Sequence, residues 1–263
     1  MNYREIYKQK KSTVEECVKT IRSGDSILVS GVVAEPQTFL RHVEDFAFDV
    51  ENVTIHKSKV GDYTYLRNPD MAGHVLTVSH FFDTNLREGY DRGIATYIPS
   101  DLHNFMTVRR EVARDNIFWA ACAPMDDEGN FCVPYCQMFE QDAYEACDRI
   151  ILEVNKNFRP MRGGVIINVT EADMLYEADN PIMVAPRTVP TETDITIGRQ
   201  VADLIHDGDC LQLGIGALPD TIGNMLKDKN DLGLHTELFT PTMADLIDNG
   251  NITRVFQNCS VTI

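Results

Sequence analysis

The chain has 263 residues, 43% hydrophobic and 24% charged, globular proportions that exclude long disorder, collagen and disulfide scaffolds. Lys plus Arg number 24 against 40 Asp plus Glu, a formal net charge of −16. No nucleic-acid partner is expected, because neutralising phosphates needs a basic face. The polar start MNYREIYKQKK lacks the apolar core of a secretory signal, and no apolar run approaches the roughly 20 residues of a membrane span. Seven cysteines without paired spacing read as reduced thiols, packed as small hydrophobes in a cytoplasmic protein.

In chain order, Ser12-Thr13-Val14-Glu15-Glu16 reads as an N-cap with a capping box. It predicts a helix to about Ile21, ending near Gly24. Ser26 to Ser30 is β-rich and predicts a strand. Gly31 to Pro36 turns, and Gln37 to Asp45 predicts a helix. Strands are expected at Val53 to His56, Val75 to Phe82, Ile94 to Tyr97, Asn116 to Ala121 and Arg149 to Val154, with a helix at Glu140 to Cys147. This alternation predicts an α/β fold with a largely parallel sheet.

An internal echo organises the chain. Ile21-Arg-Ser-Gly-Asp-Ser-Ile-Leu-Val-Ser-Gly to Pro36 resembles Ile205-His-Asp-Gly-Asp-Cys-Leu-Gln-Leu-Gly to Pro219. Both run through a Gly-Asp turn, an apolar strand, a glycine turn and a proline. Convergence on common βα grammar would explain it, and so would a duplicated domain. Under duplication, residues 1–187 form one domain, and 188–263 form the start of a second, incomplete one.

Two segments can carry chemistry. Leu211-Gln212-Leu213-Gly214-Ile215-Gly216-Ala217-Leu218-Pro219 follows a predicted strand and opens a helix. Glycines there let backbone N–H groups approach an anion or a carbonyl oxygen. A ligand-free turn is the alternative. A dinucleotide site is disfavoured because Pro219 replaces the third glycine of that fingerprint. Next comes Leu232-Gly-Leu-His235-Thr236-Glu237-Leu238-Phe239. A carboxylate among these apolar residues is expected to be partly desolvated, which raises its pKa and strips water from a nucleophilic oxygen. A solvent-facing Glu on an edge strand is the alternative, and His235 reads as a packed or solvated imidazole.

LQLGIGALPDTI followed by LGLHTELF resembles the acetyl-CoA hydrolase and transferase family, particularly its 4-hydroxybutyrate and butyryl-CoA:acetate CoA-transferases. Ile21-Arg-Ser-Gly-Asp, Glu35-Pro36, Tyr97-Ile-Pro99, Ala123-Pro-Met-Asp126 with Gly129, and Ile151-Leu-Glu-Val-Asn155 sit where that family has similar pieces. The resemblance implies a three-layer CoA-transferase-like fold and transfer of CoA between a short-chain acyl-CoA and a carboxylic acid. It implies Glu237 as nucleophile, with a ping-pong course through a glutamyl-CoA thioester. Gln212, Gly214 and Gly216 would line the CoA or oxyanion site. Coenzyme A would be a substrate, with no permanent cofactor and no metal. Family members have a complete second domain, so two alternatives stand: a half-site or non-catalytic subunit completed by another chain or by self-association, and an acyl-CoA hydrolase. The sequence departs from the family at Thr240-Pro241-Thr242 and at Phe158-Arg-Pro-Met-Arg162. The run Asp126 to Asn130 reads as a turn, Cys122 as a buried thiol, and Tyr63, Tyr65, Phe81 and Phe82 as core.

Overall fold

Apolar runs too uniform to alternate become strands buried on both faces, which is the signature of a parallel sheet under helices. The computed structural model describes residues 1–58, 61–101, 103–112, 114–184, 189–255 and 261–262, apart from the side chains at 110–112 and 261–262. The chain divides into two compact units, Met1–Ile182 and Met183–Ile263. The expected boundary at 187 and 188 lies outside the described residues.

The first unit opens with α1 (Tyr3–Lys10), α2 (Val14–Val18), β1 (Ser26–Val29), α3 (Gln37–Arg41), α4 (Val43–Ala47), β2 (Val53–Lys57) and β3 (Val75–Ser79). It continues with α5 (Thr84–Asp91), β4 (Ala95–Tyr97), α6 (Phe105–Val112), β5 (Ile117–Cys122), β6 (Asn130–Val133), α7 (Glu140–Ala146), β7 (Arg149–Asn155), β8 (Val165–Asn168) and β9 (Met174–Ala178). Seven of its strands form one sheet in the order β4-β3-β2-β1-β5-β7-β9, with every pairing parallel. The chain runs outward from β1 to β4 and then crosses back to β5, so the strand order reverses between β1 and β5. Strand periodicity separates two cores. Ile27, Val29, Ile117 and Trp119 pack on one face, and Leu28, Phe118 and Ala120 on the other. Phe39 from α3 stacks on Trp119 with centroids 3.9 Å apart.

The predicted elements are present, but α2 ends at Val18 rather than near Ile21, and β3 at Ser79 rather than Phe82. Thr13 and Glu16 form the expected capping box. The helix expected over Gln37 to Asp45 breaks at His42 into α3 and α4. Tyr63 and Tyr65 are buried, but Phe81 and Phe82 are 48% and 38% exposed, because they follow β3 into a turn beyond the sheet. Cys122 is fully buried, and burial pushes its thiol well above the ordinary range. The six described cysteines are free thiols; Cys210 alone among them is exposed.

The connection from β1 to α3 is held by three buried carboxylates. Glu140 accepts the N–H groups of Gly31, Met138 and Phe139 at 2.9, 2.9 and 3.1 Å. Glu153 accepts Thr38 N and Phe39 N at 3.0 and 3.2 Å, with Tyr176 Oη and Asn180 Nδ2 at 2.8 and 2.6 Å. Burial raises its pKa despite these donors. Glu35 pairs with the buried Lys57 and accepts from Tyr63 Oη. The clamped turn contains Val32 at φ +47°, a backbone region that a β-branched residue occupies only under constraint.

The second unit contains α8 (Glu192–Ala202), β10 (Cys210–Leu211), α9 (Ala217–Asn224), β11 (Leu232–Leu234), β12 (Leu238–Phe239), α10 (Pro241–Asp248), β13 (Ile252–Val255) and β14 (Val261–Thr262). Strands β10, β11 and β13 form a parallel sheet in that order. Leu213, Leu226, Leu232, Leu234, Met243 and Leu246 pack as its core. The internal echo reappears in backbone detail. Gly24 at φ +83° and Gly208 at φ +87° occupy the same left-handed position. Asp25 Oδ2 accepts from Arg22 N at 2.9 Å, and Asp209 Oδ2 from His206 N at 2.7 Å. Gly24 N donates to Glu51 O at 2.9 Å, and Gly208 N to Asn230 O at 3.0 Å.

Candidate functional site

In open α/β sheets, ligands bind outside the carboxyl ends of the strands. In the second unit the two chemistry-bearing segments meet there. Residues 212–216 leave β10 and enter α9, while 235–237 leave β11, its parallel neighbour. Two bonds fasten these loops. His235 N donates to Leu211 O at 2.9 Å. The buried Thr236 hydroxyl reaches Leu213 O at 3.3 Å and Leu238 O at 3.0 Å. Thr236 stands beside Glu237 in the chain, but nothing in its local sequence marks this role, which depends on the neighbouring strand's loop.

Gly216 is the N-cap of α9 at φ 119° and ψ 179°, with no side chain capping the helix. That conformation belongs to glycine alone. Uncapped N–H groups and the positive end of the helix dipole suit an anion or a developing oxyanion. Pro219 lies in the first turn of α9, where a missing N–H costs nothing. Gly214 is less constrained: an added Cβ would meet only Pro219 Cγ, at 3.6 Å.

Glu237, Gln212, Gly214 and Gly216 are all exposed at this edge. The partial desolvation expected of Glu237 is therefore absent in this structure. Leu234 turns into the core, whereas Leu238 and Phe239 are only half-buried and do not close over the carboxylate. Glu237 instead lies exposed between β11 and β12, just before a strand of a two-stranded sheet, which agrees with the solvent-facing alternative. The departure at Pro241 has a local explanation. Thr240 is the N-cap of α10 and Pro241 its first residue, the position where proline is preferred. Thr242 Oγ1 then donates to Asp220 Oδ1 on α9 at 3.0 Å, and α9 passes close enough that a Cβ on Gly223 would lie 2.5 Å from Thr242 Cγ2.

A cavity of about 260 Å³ between α8 and α9 is lined by Ile195, Ala217, Asp220, Thr221, Asn224 and Met225, with Pro190. Neither it nor the larger cleft of the first unit is lined by Glu237. The acidic run Asp126 to Asn130 is a turn in which Asp126 Oδ1 accepts from Glu128 N and Asn130 N at 2.9 and 2.8 Å. Among the described residues no three His, Cys, Asp or Glu side chains group to hold a metal. No described helix is long and apolar enough to cross a membrane.

Residues 1–186 match the acetyl-CoA hydrolase/transferase N-terminal domain. The chain belongs to the acetyl-CoA hydrolase/transferase family. Succinyl-CoA:cyclohexane-1-carboxylate CoA transferase of Geobacter metallireducens is 28% identical over 95% of this chain and 57% of that protein. Butyryl-CoA:acetate CoA-transferase of Anaerostipes caccae is 28% identical over 98% of this chain and 60% of its own. RipA from Yersinia pestis superposes with a TM-score of 0.86 at 28% identity, covering 96% of this chain and 62% of that one. The chain thus spans about three-fifths of the length of these family members.

Proposed function

We propose that the protein moves CoA between a short-chain acyl-CoA and a carboxylic acid, with Glu237 as nucleophile. The supporting observation is the union of Glu237 with the glycine turn at the carboxyl edge of β10 and β11, fastened through Thr236. The named activities of the relatives support the same reaction class.

A Glu237 carboxylate oxygen attacks the thioester carbonyl. The C–S bond breaks, leaving an acyl-glutamyl anhydride and CoA thiolate. The thiolate attacks the glutamyl carbonyl of that anhydride, forming a glutamyl-CoA thioester and releasing the first carboxylate. A second carboxylate attacks this thioester, and the steps run in reverse until the new acyl-CoA leaves with Glu237 restored. Each tetrahedral intermediate carries an oxyanion that preorganised N–H donors stabilise. In this reading Gly214, Gly216 and the α9 terminus supply such donors, and Gln212 lines the CoA approach. CoA is a substrate, and the scheme calls on no bound cofactor.

The exposure of Glu237 favours a second reading, hydrolysis, in which water takes the place of the acceptor acid. The test is intact-protein mass spectrometry after incubation with butyryl-CoA, beside Glu237→Gln. A CoA-sized adduct on the wild-type chain alone is expected. If neither protein gains mass, catalysis by these residues alone is wrong, and the half-site reading, with a complementary chain or copy, takes its place. Loss of the adduct in buffer without acceptor acid marks the hydrolase.

A further inference from the structure

A cleft of about 700 Å³ lies in the first unit, at the carboxyl ends of β5, β7 and β9 and against α1. Its walls differ sharply in character. Tyr7, Pro124, Met125 and Val154 make an apolar side. Arg4, Lys8 and Lys11 follow one another at intervals of four and three residues along α1 and its cap, and so share a face over about 10 Å of helix axis. Lys156 adds a fourth cation after β7.

Two acids also border the cleft, and each is already engaged. Glu177 pairs with Lys11 at 2.8 Å and accepts from Tyr7 Oη at 2.9 Å, which lowers its pKa. Asp179 pairs with Lys156 at 2.5 Å. Among the described residues, Arg4 and Lys8 pair with Asp127 at 3.2 Å and Glu5 at 3.9 Å. Neither partner lines the cleft, and such exposed pairs are worth little, so an incoming anion displaces them cheaply. Four cations against two acids leave a surplus of two positive charges, in a chain whose net charge is −16.

We propose that this cleft is a second ligand site, for a nucleoside phosphate. Its phosphates lie against Arg4, Lys8, Lys11 and Lys156, and its base lies against Tyr7 and Met125. Inorganic phosphate alone would leave the apolar wall unused and most of the volume empty. A simple carboxylate would bring one charge to four cations. A cavity of this size is in the range that encloses small organic ligands. Free nucleotide and the nucleotide end of a CoA molecule share this chemistry. The site does not depend on CoA transfer at Glu237.

The test is calorimetric titration of the 263-residue chain with ADP, with CoA and with inorganic phosphate. ADP should bind, and more tightly than phosphate. Lys8→Glu with Lys156→Glu should weaken ADP about tenfold or more, since charge-assisted contacts are the strong ones. Glu237→Gln should leave ADP binding unchanged, which separates this site from the proposed catalytic one. Arg4→Glu, at a side chain 81% exposed, repeats the charge test should the double variant fail to fold. CoA binding tighter than ADP, and likewise weakened by the variants, identifies CoA as the source; equal affinity identifies free nucleotide. The proposal is overturned if ADP does not bind, if phosphate binds as tightly as ADP, or if the charge variants bind ADP like wild type.

Discussion

Gly214 and Gly216 stand two residues apart in one turn, and the backbone demands glycine at only one of them. At φ 119° Gly216 is in a region closed to other residues, so Gly216→Ala should cost about 1–3 kcal/mol of stability. Gly214→Ala meets only an ordinary contact and should change stability by less than about 0.5 kcal/mol. Urea denaturation of both variants decides, and equal losses would refute the contrast. Thr236 is the other discriminating position. Thr236→Val keeps the shape but abandons the bonds to Leu213 and Leu238, at about 1–3 kcal/mol. Thr236→Ser retains the hydroxyl and should restore the CoA adduct on Glu237 that Val loses. If Val labels as well as wild type, the tie does not position the nucleophile.

At the scale of elements, the turn between β1 and α3 shows how a strained segment is kept. Glu140 satisfies three backbone N–H groups with one buried carboxylate. Glu140→Ala leaves those donors buried, at about 3 kcal/mol or more, and should unlock Val32 from its positive φ. Faster amide exchange confined to residues 31–35 and 138–139 is the expected sign; uniform acceleration across the sheet would contradict it. The strands were legible because a parallel strand covered on both faces is a continuous apolar run, as in Ile117–Cys122, buried at every residue. Helix α1 was not read from the sequence, since it has no fully buried residue and its stripe of Tyr3, Ile6 and Tyr7, only partly packed on the core, is short and set among charged residues. Antiparallel β6 and β8 pair across a stretch of chain that holds α7 and β7, and nothing local marks such a partnership. The break at His42 escaped because the apolar pattern continues through it. The glycine turn and Glu237 were legible as motifs. The exposure of Glu237 stood as one of two readings, because flanking apolar residues say nothing about which way their side chains turn. The buried roles of Glu35, Glu140 and Glu153 depend on donors from elements far apart in sequence, which only the fold assembles.

At the scale of the whole molecule, a net charge of −16 disfavours compactness through self-repulsion near neutral pH, and acidification relieves it. Two histidines in the first unit work against that relief. Burial, then the nearby Arg109 guanidinium, lowers His56 to about 3 and His80 to about 4. Both rings stay neutral in the fold, while in the unfolded chain they titrate near 6.5. Above that pH neither state carries the extra protons, and the stability due to neutral burial is fully present. As pH falls below 6.5, the unfolded chain binds two protons that the fold refuses. Stability then drops by up to about 1.4 kcal/mol per pH unit for each histidine, until the folded values are reached. The urea midpoint should therefore fall between about pH 7 and about pH 4.5, even as the acidic surface discharges. His56→Gln, which removes the titrating ring, should flatten that fall relative to wild type, whatever it costs at neutral pH. Parallel curves for the two proteins would mean that the His56 imidazole is not what links this fold to pH.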